Sequence, residues 1–291
     1  MGARIARRLR GRDVGERIPR AVVPLDMSVR VYTGPHAARR GRSTTFTALP
    51  GILAVATILL QTLWPLTSGH SRALLTIITV VLFASTCAVH ALIHHGIVWT
   101  STWFVVSVGF GWSVEALGTH TGFPFGKYAY GDELGWRLNL VPIVIPLAWA
   151  MMSYPALAVA RRLTHGRWTT PLIAALAFAS WDLFLDPQMA GEGYWTWTTT
   201  SPYLPGIPGI PVVNYLGWLL AAYVLMLVLD RLPRSRPGTD VVPGILYVWT
   251  WLGGVIANAV WLDHRGAAAW GGVVMGAIAV PYAWIAWTGR P

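Results

Sequence analysis

Eight stretches of about twenty mostly apolar residues, joined by short polar links, leave this chain few folds to choose from. An apolar helix needs roughly 20 residues to cross the hydrocarbon core of a bilayer, and windows of that length fall at 46–66, 73–94, 96–117, 140–160, 171–187, 212–229, 242–261 and 268–287. Hydrophobic residues make up 54% of the chain and charged residues 12%, about half the charge of an ordinary soluble protein. The mean hydropathy is +0.50. The expected fold is an all-α polytopic integral membrane helix bundle of about eight transmembrane helices over residues 46–291. The fifth window is short and the third contains Glu115, so the two least regular windows are also the ones that carry acids.

Residues 1–45 read differently. The first 42 residues hold 11 arginines and no apolar stretch, which excludes the hydrophobic core of a secretory signal peptide and predicts a basic, disordered cytoplasmic tail. A net charge of +10 would point to nucleic acid in a soluble protein. Here half of the basic residues lie in a tail next to a membrane, and attraction to anionic lipid accounts for them without a nucleic-acid partner. With the tail inside, the inner segments carry 18 Lys and Arg and the outer segments 4. That bias predicts a multi-pass cell-membrane protein with both termini cytoplasmic. Seven of the twelve acids then fall in or beside the outer loops. Cys87 is the only cysteine; it has no disulfide partner and reads as a packing residue.

Three acids, Glu115, Asp182 and Asp186, lie within or at the ends of apolar windows, where an ionisable group is costly and marks a functional site by default. Asp182 and Asp186 are four apart, one helical turn from each other on one face. Two carboxyls so close do not both ionise readily, which makes one of them a candidate proton donor. The plainer alternative is that Asp186, followed by Pro187, ends the helix, and that Asp182 pairs with a buried Trp, Asn or Arg. Glu115 has His120 five positions later. Both loops that follow these acids are aromatic. Phe123, Phe125, Tyr128 and Tyr130 sit among closely spaced glycines, and Tyr194, Trp195 and Trp197 precede four prolines and are expected to fold back as a lid. A belt of interfacial aromatics has the same composition.

His90 and His94 share a face but have no acidic companion, so a metal site there is not expected. The DxxxD spacing also occurs in polyprenyl transferases, which use two such motifs to hold a magnesium diphosphate; the second is absent here. Gly-rich phosphate loops, Gly-x-Ser-x-Gly and HExxH are absent too. No metal and no organic cofactor is expected.

The segment EALGTHTGFPFGKYAY, then VPIVIPLAWAMMSYPA, then WDLFLDPQM with GYW and GIPVVNYLGW, resembles the membrane-bound carotenoid biosynthesis family that includes the CruF-type carotenoid hydratases and bisanhydrobacterioruberin hydratase. The likeness runs from about Gly109 to Trp218 and less distinctly to Trp287. It implies hydration of the terminal double bond of an acyclic carotenoid end group to a tertiary alcohol, without a redox cofactor. The partners it implies are that carotenoid, membrane lipid and other carotenoid-pathway enzymes.

Acid-catalysed hydration needs a proton donor in a dry site and a second carboxylate to deprotonate water. Asp182 is expected to donate the proton, with Asp186 tuning it and Glu115 handling the water. Phe125, Tyr128, Trp181, Trp195, His120 and Asn214 are expected to contact the substrate, the aromatic faces stabilising a carbocation. Two other classes fit the same composition: a proton-coupled lipid or isoprenoid transporter, and a non-catalytic scaffold of a pigment-synthesising complex.

Overall fold

A computed structural model describes residues 44–234 and 240–289. The expected basic tail, 1–45, lies outside them except for its last two residues. Among the described residues the chain is an all-α polytopic bundle of eight α-helices: α1 (Thr44–Leu63), α2 (Gly69–His95), α3 (Ile97–Thr121), α4 (Val144–Leu163), α5 (Thr169–Gly191), α6 (Val212–Leu229), α7 (Val241–Ile256) and α8 (Arg265–Thr288). All except α5 belong to segments long and apolar enough to cross a membrane. The exception carries both aspartates. It tolerates them because it packs against α4, α6 and α8, so protein rather than lipid surrounds its polar face.

Of the helix ends that differ from the expected windows, two bear on the acids. The third helix does not stop at 117 but runs to Thr121, where Gly122 adopts φ +80° and its N–H reaches the Gly118 carbonyl at 2.7 Å. A left-handed terminal residue of this kind suits glycine. The fifth helix runs through Pro187 to Gly191. Pro187 therefore does not end it, and Asp186 is an interior helical residue.

Helix α4 lies at the centre, packed against α2, α3, α5, α7 and α8. Its Trp149 is fully buried and rests against α3 where a glycine allows it: a Cβ on Gly111 would lie 2.6 Å from Trp149 Cγ. Gly111→Val should therefore lower stability by about 1–3 kcal/mol, the usual cost of overpacking a filled core. Gly109→Val should be near neutral, because nothing lies within 4 Å of its Cβ position. Thermal unfolding in detergent checks the contrast, and equal midpoints for the two variants would contradict it.

One end of the bundle is roofed by short strands, β1 (Tyr128–Tyr130), β2 (Arg137–Leu138), β3 (Val141–Pro142) and β4 (Trp195–Trp197). β1 pairs antiparallel with β4, Tyr128 opposite Trp197 and Tyr130 opposite Trp195, while β2 pairs with β3. Alternate residues of a strand point to opposite faces. Accordingly Tyr128, Tyr130, Trp195 and Trp197 turn toward the bundle, and Ala129 and Thr196 are exposed. The segment after α5 thus folds back, and the ribbon is sealed by Trp197 Nε1 donating to the Phe125 carbonyl at 3.0 Å.

Candidate functional site

Under this ribbon the three membrane-depth acids come together. Their exposures are 3% for Glu115, 0% for Asp182 and 2% for Asp186. Three of the loop acids at the same end are ion-paired: Asp132 with Arg137 at 2.6 Å, Asp263 with Arg265 at 3.2 Å and Glu192 with Arg72. None of the ion pairs among the described residues includes Glu115, Asp182 or Asp186.

Neutral donors hold them instead. Glu115 Oε2 accepts from the Tyr130 hydroxyl at 2.7 Å and from the Tyr128 hydroxyl, and Oε1 accepts from Trp149 Nε1 at 3.0 Å. Burial, reinforced by the adjacent Glu115, pushes both tyrosine hydroxyls well above the ordinary phenol range. They therefore stay protonated and remain donors. Asp186 Oδ1 accepts from Trp195 Nε1 at 3.0 Å. The amide of Asn214, at the start of α6, donates to Oδ2 of both aspartates, 2.9 Å from Asp182 and closer to Asp186. Asp182 Oδ1 is buried with no hydrogen-bond partner among the described residues.

A cavity of about 30 Å³ lies among these groups, lined by Glu115, Asp186, Asn214, Tyr128 and Tyr130 with several aromatic rings. That volume accommodates a single water molecule at a site with enough polar partners to hold it. It shares Ile145, Ala148, Trp181, Leu185 and Trp195 with a second, apolar cavity of about 370 Å³ between α1, α2, α4, α5 and α7. That larger cavity also takes in Ala257 and Trp261 from a π-helical segment (Ala257–Trp261) that follows α7.

Most of the expected site residues meet here: Glu115, Asp186, Phe125, Tyr128, Trp181, Trp195 and Asn214 all line the small cavity. Two do not. His120 is exposed, and its Nδ1 lies 2.8 Å from the Ala116 carbonyl. Five residues along a helix is a rotation of about 140° beyond a full turn, so His120 leaves on a different face from Glu115. Asp182, expected to confront the substrate, lines neither cavity. Asp186 sits one turn nearer the ribbon and does line the smaller one.

Sequence reasoning missed Tyr130, Trp149, Trp197 and Trp218 as site residues, and all four line the small cavity. Trp149 and Trp218 stack with ring centres 4.6 Å apart and form its floor. At the opposite end of the bundle His90 Nδ1 meets the Tyr154 hydroxyl at 2.8 Å. Among the described residues no group of three or more His, Cys, Asp or Glu side chains is placed to hold a metal ion.

Residues 75–280 match the model of a family described as "Carotenoid biosynthesis protein". The bisanhydrobacterioruberin hydratase of Haloarcula japonica is 32% identical over 126 residues, which is 42% of this chain and 41% of that protein. The matched region thus spans less than half of the relative's length. No solved structure matches the chain.

Proposed function

The chain belongs to the carotenoid biosynthesis protein family, and from that premise we propose that it adds water across the terminal double bond of an acyclic carotenoid end group, giving a tertiary alcohol. The observation that carries this reading is that Glu115 and Asp186 line one water-sized cavity whose wall is shared with a large apolar cavity. The similarity to a hydratase of Haloarcula japonica supports the same reaction type.

Three carboxyls buried without a cation cannot all carry charge, because an isolated buried carboxylate is neutralised rather than tolerated. The cluster therefore holds protons. In the proposed reaction the end group enters from the apolar cavity past Trp181, Leu185 and Trp195 of the shared wall and meets Asp186, which lines the smaller cavity behind them. The Asp186 proton forms a C–H bond with the less substituted alkene carbon, leaving a tertiary carbocation. The faces of Trp181 and Trp195 stabilise that cation by about 1–2 kcal/mol each in a desolvated site.

Water beside Glu115 attacks the cation and its surplus proton passes to Glu115. Return of that proton to Asp186 completes the addition of one water with no change in electron count. Tyr128, Tyr130 and Trp149 fix the base, and Asp182 positions Asp186 through Asn214. The expected roles of the two aspartates are thereby exchanged, since Asp186 is the one that reaches a cavity. The 18-to-4 basic asymmetry supports an outer location for this end of the bundle.

The test is a pigment profile from a non-carotenogenic host given an acyclic carotenoid pathway, with and without this chain. With the chain, a product heavier by one water per modified end should appear. An unchanged profile, with the protein present in the membrane, would count against catalysis and favour a scaffold.

A further inference from the structure

The 370 Å³ apolar cavity borders another at the middle of the bundle. Its wall includes Trp249 of α7, and the same side chain lines a third cavity of about 460 Å³ between α1, α7 and α8. The first apolar chamber follows α7 from Trp249 to Ala257, toward the acids. The second follows it from Leu252 back to Val241, at the opposite end. Together they cover 16 residue steps, roughly 24 Å at the helical rise, most of the roughly 30 Å hydrocarbon core.

Trp249 stands at the junction, its indole packed one turn back from Gly253, where a Cβ would make ordinary contact with it at 3.5 Å. The far chamber closes on Arg162 and Asp240, and Arg162 Nε is buried without a hydrogen-bond partner among the described residues. A hydrocarbon chain cannot pass these groups without desolvating charge, so they set a far limit.

We propose that the two chambers form one site for much of the length of an extended apolar polyene, its reacting end beside the acids and its far part beyond Trp249. This rests on the hydration reading for the identity of the reacting end. A rigid linear chain suits it better than a flexible lipid acyl tail, because the two chambers lie in line along α7 and meet at Trp249. The site then acts as a ruler: contacts more than half a membrane away from the chemistry contribute to selecting full-length substrate.

The test uses the full chain in detergent and two substrates with the same end group, a full-length acyclic carotenoid and a polyene of half its length. Ala283 lines the far chamber, and Ala283→Trp should fill it. For the long substrate kcat/KM should fall about tenfold or more, and for the short one it should stay within about twofold, the discrimination expected when a pocket loses room for substrate carbons. Ala286→Trp, at an exposed position on the same wall, repeats the test if the first variant fails to fold.

Binding is read separately, as quenching of tryptophan fluorescence by each polyene, and should weaken only for the long one. Equal effects on both substrates, or on neither, would overturn the inference and leave the far chamber to bilayer lipid. Length-selective binding without any turnover in the parent protein would overturn the hydration reading and leave the ruler standing.

Discussion

Asp186→Asn should reduce turnover by about 100-fold or more, the usual scale for a lost general acid, and Glu115→Gln should do the same for the base. Both substitutions keep size and remove the titrating proton. Glu115→Gln also turns an acceptor into a donor against one of the three groups that now donate to it, Tyr128, Tyr130 and Trp149. Folding must therefore be measured beside activity. Asp182→Asn should be milder, since Asp182 lines neither the small nor the large apolar cavity and acts through Asn214. If Asp182→Asn abolished turnover while Asp186→Asn spared it, the roles would revert to those its sequence position first suggests.

The second large effect is expected at Asn214. One amide serves both aspartates, and Asn214→Leu removes it at similar size. Two buried carboxyl oxygens are then left without their donor, at a cost of about 1–3 kcal/mol in stability. Turnover should fall about tenfold or more, because positioning worth a single hydrogen bond to the acid is lost. Unchanged turnover and an unchanged unfolding midpoint would show that the aspartate pair does not depend on the bridge.

Much of this arrangement is legible in the sequence, for identifiable reasons. Hydropathy finds the helices because lipid demands long apolar runs, and the cost of acids at membrane depth singles out Glu115, Asp182 and Asp186. Hydropathy fails at α5 for the same physics: a helix enclosed by α4, α6 and α8 need not be apolar on its site face, so its ends are blurred. Pro187 misleads as a stop signal because the helix continues through it to Gly191.

The ribbon is not foreseen, since both of its segments read as aromatic loops. YAY and WTW alternate large aromatic with small residues, the period of a strand with one buried face, yet each is only three residues long. What pairs them is the meeting of two helix ends, which no local pattern contains. Trp149 and Trp218 are harder still. On α4 and α6 they read as two more apolar helical residues, and only the close approach of α3 to α4 at Gly111 and the stacking of their rings turn them into the floor of a site. His120 shows the reverse error: nearness to Glu115 in sequence is not nearness in space when the spacing is five on a helix.

The central claim, that protonated carboxyls add water to an alkene, is tested most directly by isotope. Turnover in deuterated, oxygen-18 water, followed by mass spectrometry of the product, should show one carbon-bound deuterium next to the new alcohol and one labelled hydroxyl for each end modified. A hydroxyl without oxygen-18, or one labelled instead from oxygen-18 gas, would mean that the oxygen does not come from water, and a product lacking the carbon-bound deuterium would mean that no alkene carbon was protonated; either result would contradict the hydration mechanism.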